Sequence, residues 1–567
     1  MTTNFKHELA EILAKHINLS VQETEAAIEI PTDSRLGHFA FPCFSLAKVL
    51  RKAPPVIAAE LAEKISQSRP AWLGQAVATG PYVNFFFDRA AFTGAVLQEV
   101  SAQGESYGGS REGAGQTVLV EYSSPNIAKH FHIGHLGSTI IGKTLDNIFR
   151  FLGYDVTSLN HLGDWGTQFG KLITAYLKWG SEEEITKTEI SGLVKLYVQF
   201  HEEADKDPSL NDEARSWVVK MQDGDEEGLR IWKWFCDLSM KEYQRIYDRL
   251  NVSFDLIRGE SYYNGKMEAI AEELQEKGLL IESDGAKIVD LEAHGMPPCL
   301  ILRSDGGTLY PTRDIAAALD RYNTFKFHKN LYVTGNEQSL HFAQWMKVVE
   351  LMGYDWAKGL EHIPYGMYLF ESGKMSTRRG DVIKMEDLLD EATAKTLAII
   401  NEKNPSLENK ETVAEQVGVG ALKFNKLYNS RAKDTMFDWD RMLNFEGETG
   451  PYVQYTHARA CSVLRKAGIT PTTPDPASLT EDEPFEVTRL LYSFPDKIRD
   501  AAVKYEPFII ARHMVALAQA YNAFYHKHQI LCDNEQTRNA RLSLTNATRQ
   551  VLKTGLALLG IDAPVVM

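Results

Sequence analysis

One stretch of the chain, Thr117 to Gly153, limits the possible folds more than any other. TVLVEY (Thr117 to Tyr122) is a short β-branched run of the kind buried in a parallel sheet. SSPNIAKHFHIGH leads out of it, and Leu136, Ile140, Ile141, Leu145, Ile148, Phe149 and Leu152 then recur at helical intervals until Gly153 supplies a stop. A strand, a loop and a long helix in that order predict an α/β core.

The 567 residues are enough for about three or four domains around that core. Phe5, Leu9, Ile12, Leu13 and Ile17 share one helical face, and the unit they open runs to the aromatic strand YVNFFF (Tyr82 to Phe87), predicting an α+β accessory domain over residues 1–110. Gly104, Gly108, Gly109, Gly113 and Gly115 punctuate a polar stretch that reads as a flexible connector. The α/β domain is expected over 116–390, split around 181–298 by a helix-rich acidic insertion (SEEE, HEEADKD, DGDEE). Strand character resumes at LYVTG (Leu331 to Gly335) and YGMYLF (Tyr365 to Phe370). Helical pattern dominates from Met385, through a connecting region at 391–448 and a final domain at 449–567, broken by the Pro-rich ITPTTPDPASLTEDEP.

A net charge of -15 excludes a uniformly basic nucleic-acid wrapper but not a local patch. Residues 449–567 carry 13 Lys+Arg against 11 Asp+Glu, a local +2, so the final domain is the best candidate to meet phosphate. The five cysteines are far apart and form no C-x-x-C pair, so neither bound zinc nor a disulfide framework is expected and a reducing compartment fits. Lys6, His7 and Glu8 interrupt the amino terminus, and no apolar run of about 18 residues occurs, so the expectation is a cytoplasmic protein with no membrane partner.

Two motifs compete for phosphate. GSTIIGKT (Gly137 to Thr144) satisfies G-x-x-x-x-G-K-[ST], but Ile140 and Ile141 are in phase with the predicted helix, whose N–H groups bond internally and cannot cradle a phosphate. HIGH (His132 to His135) is the better candidate. It sets two imidazoles either side of Gly134 at a helix N-terminus, where free N–H groups and about half a positive charge favour an anion. About 240 residues later, GKMSTRRG (Gly373 to Gly380) places Lys374, Ser376, Arg378 and Arg379 in a Gly-bounded turn, suited to neutralising a leaving pyrophosphate in the transition state. Read singly, the first motif is also an exposed helix cap and the second a solvated basic turn.

Together they resemble the class I aminoacyl-tRNA synthetases, and the arginyl-tRNA synthetase family in particular. The matching stretches are VEYSSPNIAKHFHIGHLGSTIIG, HLGDWGTQFGKL, SDGGTLYPTRDIAAALDR, VTGNEQSLHF, GKMSTRRGDVI and LNFEGETGPYVQYTHAR, with GPYVNFFF near the start and APVVM at the end. The resemblance implies a Rossmann-type catalytic core, an N-terminal domain that reads the tRNA elbow and a C-terminal α-helical anticodon-binding bundle. It implies an arginine–tRNA ligase, generally needing bound tRNA to activate arginine with ATP. Its partners are L-arginine, ATP with Mg²⁺ and tRNA(Arg), and the family norm is a monomer.

By motif position the resemblance gives His132, Gly134, His135, Lys374, Met375 and Ser376 to ATP. Glu121, Tyr310 and Asp314 go to the arginine guanidinium, and Asn126 and Gln338 to its α-amino group. A planar fork of five N–H donors calls for carboxylates, so Glu121 and Asp314 suit it chemically; on the residues alone, Tyr310 can also be read as a core aromatic and Asp314 as a helix cap. Thr377 stands where the class pattern has a second lysine, and Lys129, three residues before His132, is expected to replace it. Tyr82 and Asn84 match the positions by which bacterial members read a D-loop base. YVQYTHARACSVLRKAG and YNAFYHKHQ suit an anticodon surface.

Overall fold

The computed structural model describes residues 4–31, 33–303, 309–370, 383–469 and 475–567. Helix Phe5–Ala14 buries Phe5, Leu9 and Leu13, the face its spacing predicts. Phe5 meets the rings of Trp72 and Phe92 at 5.0 and 5.3 Å. Strands β1 (Phe39–Pro42), β2 (Leu73–Thr79) and β3 (Tyr82–Phe87) form an antiparallel sheet in the order β1-β3-β2. Alternation along β3 sends Val83, Phe85 and Phe87 to the core and puts Tyr82 and Asn84 on the other face. Asn84 is buried, whereas Tyr82 is half-buried with Phe44 edge-on at 5.6 Å.

The glycine-rich stretch is not the loose tether its composition suggests. Tyr107 is buried and its hydroxyl donates to the Leu491 carbonyl at 3.0 Å, Gly108 (φ +92°) fits against Ile498 and Phe494, and Gly113 N–H donates to Leu152 O at 3.1 Å. Gly108, Gly109 and Gly113 serve close approach, while Gly104 and Gly115, with φ of +57° and +80°, supply turns. The preceding helix, Arg89–Gln103, also leans on the C-terminal bundle. Arg89 donates to Thr480 O and pairs with Asp482, both at 2.8 Å, and Gln550 donates to Val100 O at 3.0 Å.

The central sheet contains β4 (Thr117–Glu121), β5 (Asp155–Asn160) and the two-residue β6 (Leu256–Ile257). After it come β7 (Leu280–Ser283), β8 (Ala286–Val289) and β9 (Cys299–Leu302), a separate antiparallel sheet. β10 (Lys329–Gly335) and β11 (Leu360–Tyr365) complete the parallel order β11-β10-β4-β5-β6. The 181–298 region is therefore helical only in its first part, Glu182–Arg249, with the short helix Met267–Glu276 beyond; it also contributes a strand to the main sheet and most of a second sheet. These strands escaped the sequence reading because they are two to four residues long, too short for a period to register. YGMYLF likewise yields only β12 (Tyr368–Leu369), paired with β13 (Thr435–Met436), while the full strand is LEHIPY just before it.

Helix Ile133–Phe151 crosses the sheet with Leu136, Ile140, Ile141, Leu145, Ile148 and Phe149 buried. GSTIIGKT lies wholly inside it, and its glycines have packing roles. A Cβ on Gly142 would stand 2.1 Å from Tyr122 Cβ, and one on Gly137 2.8 Å from the Tyr365 ring. Lys143 pairs with buried Asp146 at 2.7 Å. Helices Gly450–Ala467, Asp482–Lys504, Phe508–Lys527 and Glu535–Leu558 form the C-terminal bundle. Buried Lys423 joins it to the core, donating to both Leu250 O and Gly560 O at 2.5 Å. Gly142→Ala should cost about 1–3 kcal/mol through overpacking, seen as a lowered thermal midpoint, while Lys143→Met should leave nucleotide chemistry intact.

Candidate active site

The loop that leaves β4 is wound against its own preference. Ser123, Ser124 and Ala128 have φ of +70°, +48° and +60°, a region that costs side-chain-bearing residues free energy unless surroundings enforce it. Helix Glu226–Arg249 does the enforcing. Its Tyr247 hydroxyl lies 2.8 Å from Ser123 Oγ, Ser239 Oγ accepts from Ala128 N–H at 3.0 Å, and Tyr243 OH lies within donating distance of both Asn126 O and Lys129 O, at 2.7 and 2.6 Å. Ser124 N–H donates to Asn160 on β5 at 3.1 Å.

This clamp delivers HIGH to the start of helix Ile133–Phe151. His132 is the N-cap, its Nδ1 accepting from Gly134 N–H at 3.1 Å, and His132 N–H donates to Nδ1 of His135 at 3.1 Å. With both Nδ1 atoms accepting, each neutral ring carries its proton on Nε2. Burial lowers His132 to about 4, helped by Lys129, and lowers His135 to about 3, helped by His132 and Lys129. The site thus offers two uncharged Nε2–H donors. Gly134 is exposed, and a Cβ there would lie 2.7 Å from the His132 ring.

Both ends of the expected site open into one cavity of about 830 Å³, lined by His132, Gly134 and His135 and by Glu121, Asn126, Tyr310, Asp314 and Gln338. Tyr310 opens helix Tyr310–Phe325 and is 68% exposed, so it stands at the mouth and is not the core aromatic its composition allows. Asp314 lies in the same helix; it is not a cap, and it meets His341 Nε2 at 2.5 Å. Glu121, at the end of β4, is buried against Arg321, with Nη1 to Oε2 at 2.5 Å. Glu260 pairs with Arg313 at 2.8 Å. His341, Arg321 and Arg313 were passed over in sequence, although all three fall inside the matching strings; nothing in a lone sequence says that a cation will turn inward. Ser123, Ser124, His161, Glu260, Glu337 and Tyr365 also line the cavity.

Lys129 is exposed and is not among the lining residues, though its charge reaches both histidines. Lys374, Met375 and Ser376 lie outside the described residues. Ile383 and Met385 are fixed beside HIGH, with Ile133 N–H donating to Ile383 O at 3.3 Å and Met385 N–H to Phe131 O at 2.8 Å. In the bundle, a second cavity of about 780 Å³ is lined by Tyr455, Arg459, Arg465, Lys466, Tyr525 and His526. Arg459 covers the Tyr455 and Tyr525 rings at 4.8 and 5.0 Å, while Tyr521 and Phe524 of the same stretch are core. The five cysteines are free, and no helix among the described residues is long and apolar enough to cross a membrane.

Comparison with known proteins decides the family. Residues 96–439 match the model for tRNA synthetases class I (R), catalytic domain, 453–567 the DALR anticodon binding domain, and 2–87 the arginyl tRNA synthetase N terminal domain. The chain belongs to the arginyl-tRNA synthetase family. It is 51% identical over 563 residues to the arginine–tRNA ligase of Halothermothrix orenii and 52% over 564 residues to that of Alkaliphilus metalliredigens, covering 99% of each chain in both cases. Its fold matches Thermus thermophilus arginyl-tRNA synthetase over the whole of both chains, with a TM-score of 0.82 at 27% identity.

Nitrogen NMR of the two HIGH histidines should find both neutral, with the proton on Nε2, from pH 8 down to 5; a midpoint near 6.5 for either contradicts the geometry. Since both folded values lie below the ordinary 6.5, the unfolded chain binds protons first. Their contribution to stability therefore falls as the pH drops from about 6.5 towards about 4, which thermal melts across that window would register.

Proposed function

We propose that the cavity shared by HIGH and the paired carboxylates is where this arginine–tRNA ligase activates its amino acid. Arginine and ATP give arginyl-adenylate and pyrophosphate, and the arginyl group then passes to the 3' end of tRNA(Arg). The reading is carried by a single observation: Glu121 and Asp314 open into the same cavity as His132 and His135. A flat cationic side chain held at the carboxylates leaves its own carboxylate facing the histidines. Gly134, bare on its outer face, suits an adenine, and the two Nε2–H groups suit phosphate oxygens whose charge grows in the transition state.

Asn126 and Gln338 take the α-amino group and Tyr310 covers the guanidinium from the mouth. Lys374 and Ser376, with Met375 between them, act on the pyrophosphate, and Lys129 swings in as the second cation, its charge already felt at HIGH. Three of the four cavity carboxylates already have partners in Arg321, Arg313 and His341. Mg²⁺ therefore arrives on the triphosphate, and no protein cage is needed to hold it. Arg459 and its two tyrosines fit an anticodon base, since unstacked bases lie on aromatic and guanidinium planes. Tyr82 and Asn84 serve the elbow, the former through its half-buried ring. Activation needs bound tRNA, and the enzyme works as a monomer in the cytoplasm.

Pyrophosphate exchange run with each amino acid, with and without tRNA, should respond only to arginine plus tRNA. His135→Ala should slow exchange by about 10²–10³, the loss typical of one transition-state donor, with little change in the KM for arginine. Lys129→Ala should depress adenylate formation far more than tRNA affinity, and equal losses in both would reject its role.

A further inference from the structure

The amino-acid end of the cavity is backed by a charge that the reaction as described does not use. Arg321 is 1% exposed, and its Nη1 lies 2.5 Å from Glu121 Oε2. Its guanidinium carbon is 5.5 Å from the centre of the Tyr332 ring, and the phenols of Tyr263 and Tyr332 flank it. Yet none of its three side-chain nitrogens makes a hydrogen bond of good geometry among the described residues. A cation buried this deeply is held by the opposite charge of Glu121, because burial strongly penalises an unpaired guanidinium. Asp314 and Arg321 are seven residues apart on one helix, two turns along the same face, so a single element carries an anion and a cation of this end.

We propose that Arg321 is a positioning residue that sets amino-acid specificity, a resident guanidinium that cancels the charge of Glu121 so that the pocket is balanced for a side chain bearing one positive charge. The proposal rests on the reading that Glu121 faces the arginine side chain. Arg321 occupies Oε2 and thereby fixes the direction in which Oε1 accepts from the substrate. It also decides how much negative charge the substrate meets, which separates arginine from a neutral molecule of the same shape. L-citrulline is that molecule, with a urea in place of the guanidinium.

The charge account makes a double-mutant cycle decisive. Glu121→Gln leaves Arg321 uncompensated and makes the pocket one unit more positive; adding Arg321→Met returns the charge to its starting value, and removing both partners of a buried pair is tolerated far better than removing one. The measurement is the KM for arginine in tRNA-supported pyrophosphate exchange, set against the inhibition constant of citrulline. Glu121→Gln should lower the preference for arginine over citrulline by about tenfold or more, and the double variant should recover most of that loss, on the order of tenfold of coupling. Arg321→Lys, which keeps the charge, should hold the preference within about threefold, with thermal melts confirming that each variant is folded.

A double variant no better than Glu121→Gln alone, or a folded Arg321→Lys that loses the preference as fully, overturns the role of Arg321 and leaves the pocket reading standing. Glu121→Gln with an unchanged KM for arginine overturns the pocket reading itself.

Discussion

The clamp of helix Glu226–Arg249 on the loop after β4 is the constraint from which the rest of the site follows. Three side-chain-bearing residues in the left-handed region do not stay there unaided: Tyr247 holds Ser123, Ser239 holds Ala128, Tyr243 braces Asn126 and Lys129 beside them, and Asn160 on β5 holds Ser124. The inserted helical segment is thus a structural buttress of the loop that leads into HIGH as well as an excursion from the sheet. With the loop fixed, the N-terminus of the next helix points into the cavity with its first N–H groups accepted by imidazoles. Those imidazoles are left as neutral donors at neutral pH.

Much of this was legible in the chain. The apolar spacing from Leu136 to Leu152 gave the long helix, and the phase of Ile140 and Ile141 was enough to reject the phosphate-loop pattern, whose glycines turn out to accommodate Tyr122 and Tyr365. Glu121 and Asn126, Tyr310 and Asp314, and Gln338 come from three separate stretches of the chain and line one cavity. Short strands were not legible, since two to four residues do not establish a period. Nor were the inward-facing cations. Arg321 reads as a helix-surface arginine, and only tertiary packing against Glu121, Tyr263 and Tyr332 shows otherwise.

The glycine-rich stretch misled for a related reason. Glycine signals either freedom or close approach, and composition does not distinguish the two. At Gly108 the backbone lies against Ile498 and Phe494 because no side chain intervenes, which turns an apparent tether into a seam between the first domain, the core and the bundle.

That seam makes the two ends of the protein a calliper. The Tyr82 face and the Arg459 cleft are connected through Tyr107, helix Arg89–Gln103 and Gln550, with no slack linker among the described residues of that route. The gap between the jaws is set by those contacts; if both jaws meet tRNA, as proposed above, the RNA is gauged by the length of its arms as well as by its bases. Loosening the seam of such an instrument would blur its measurement even if both jaws stayed sharp.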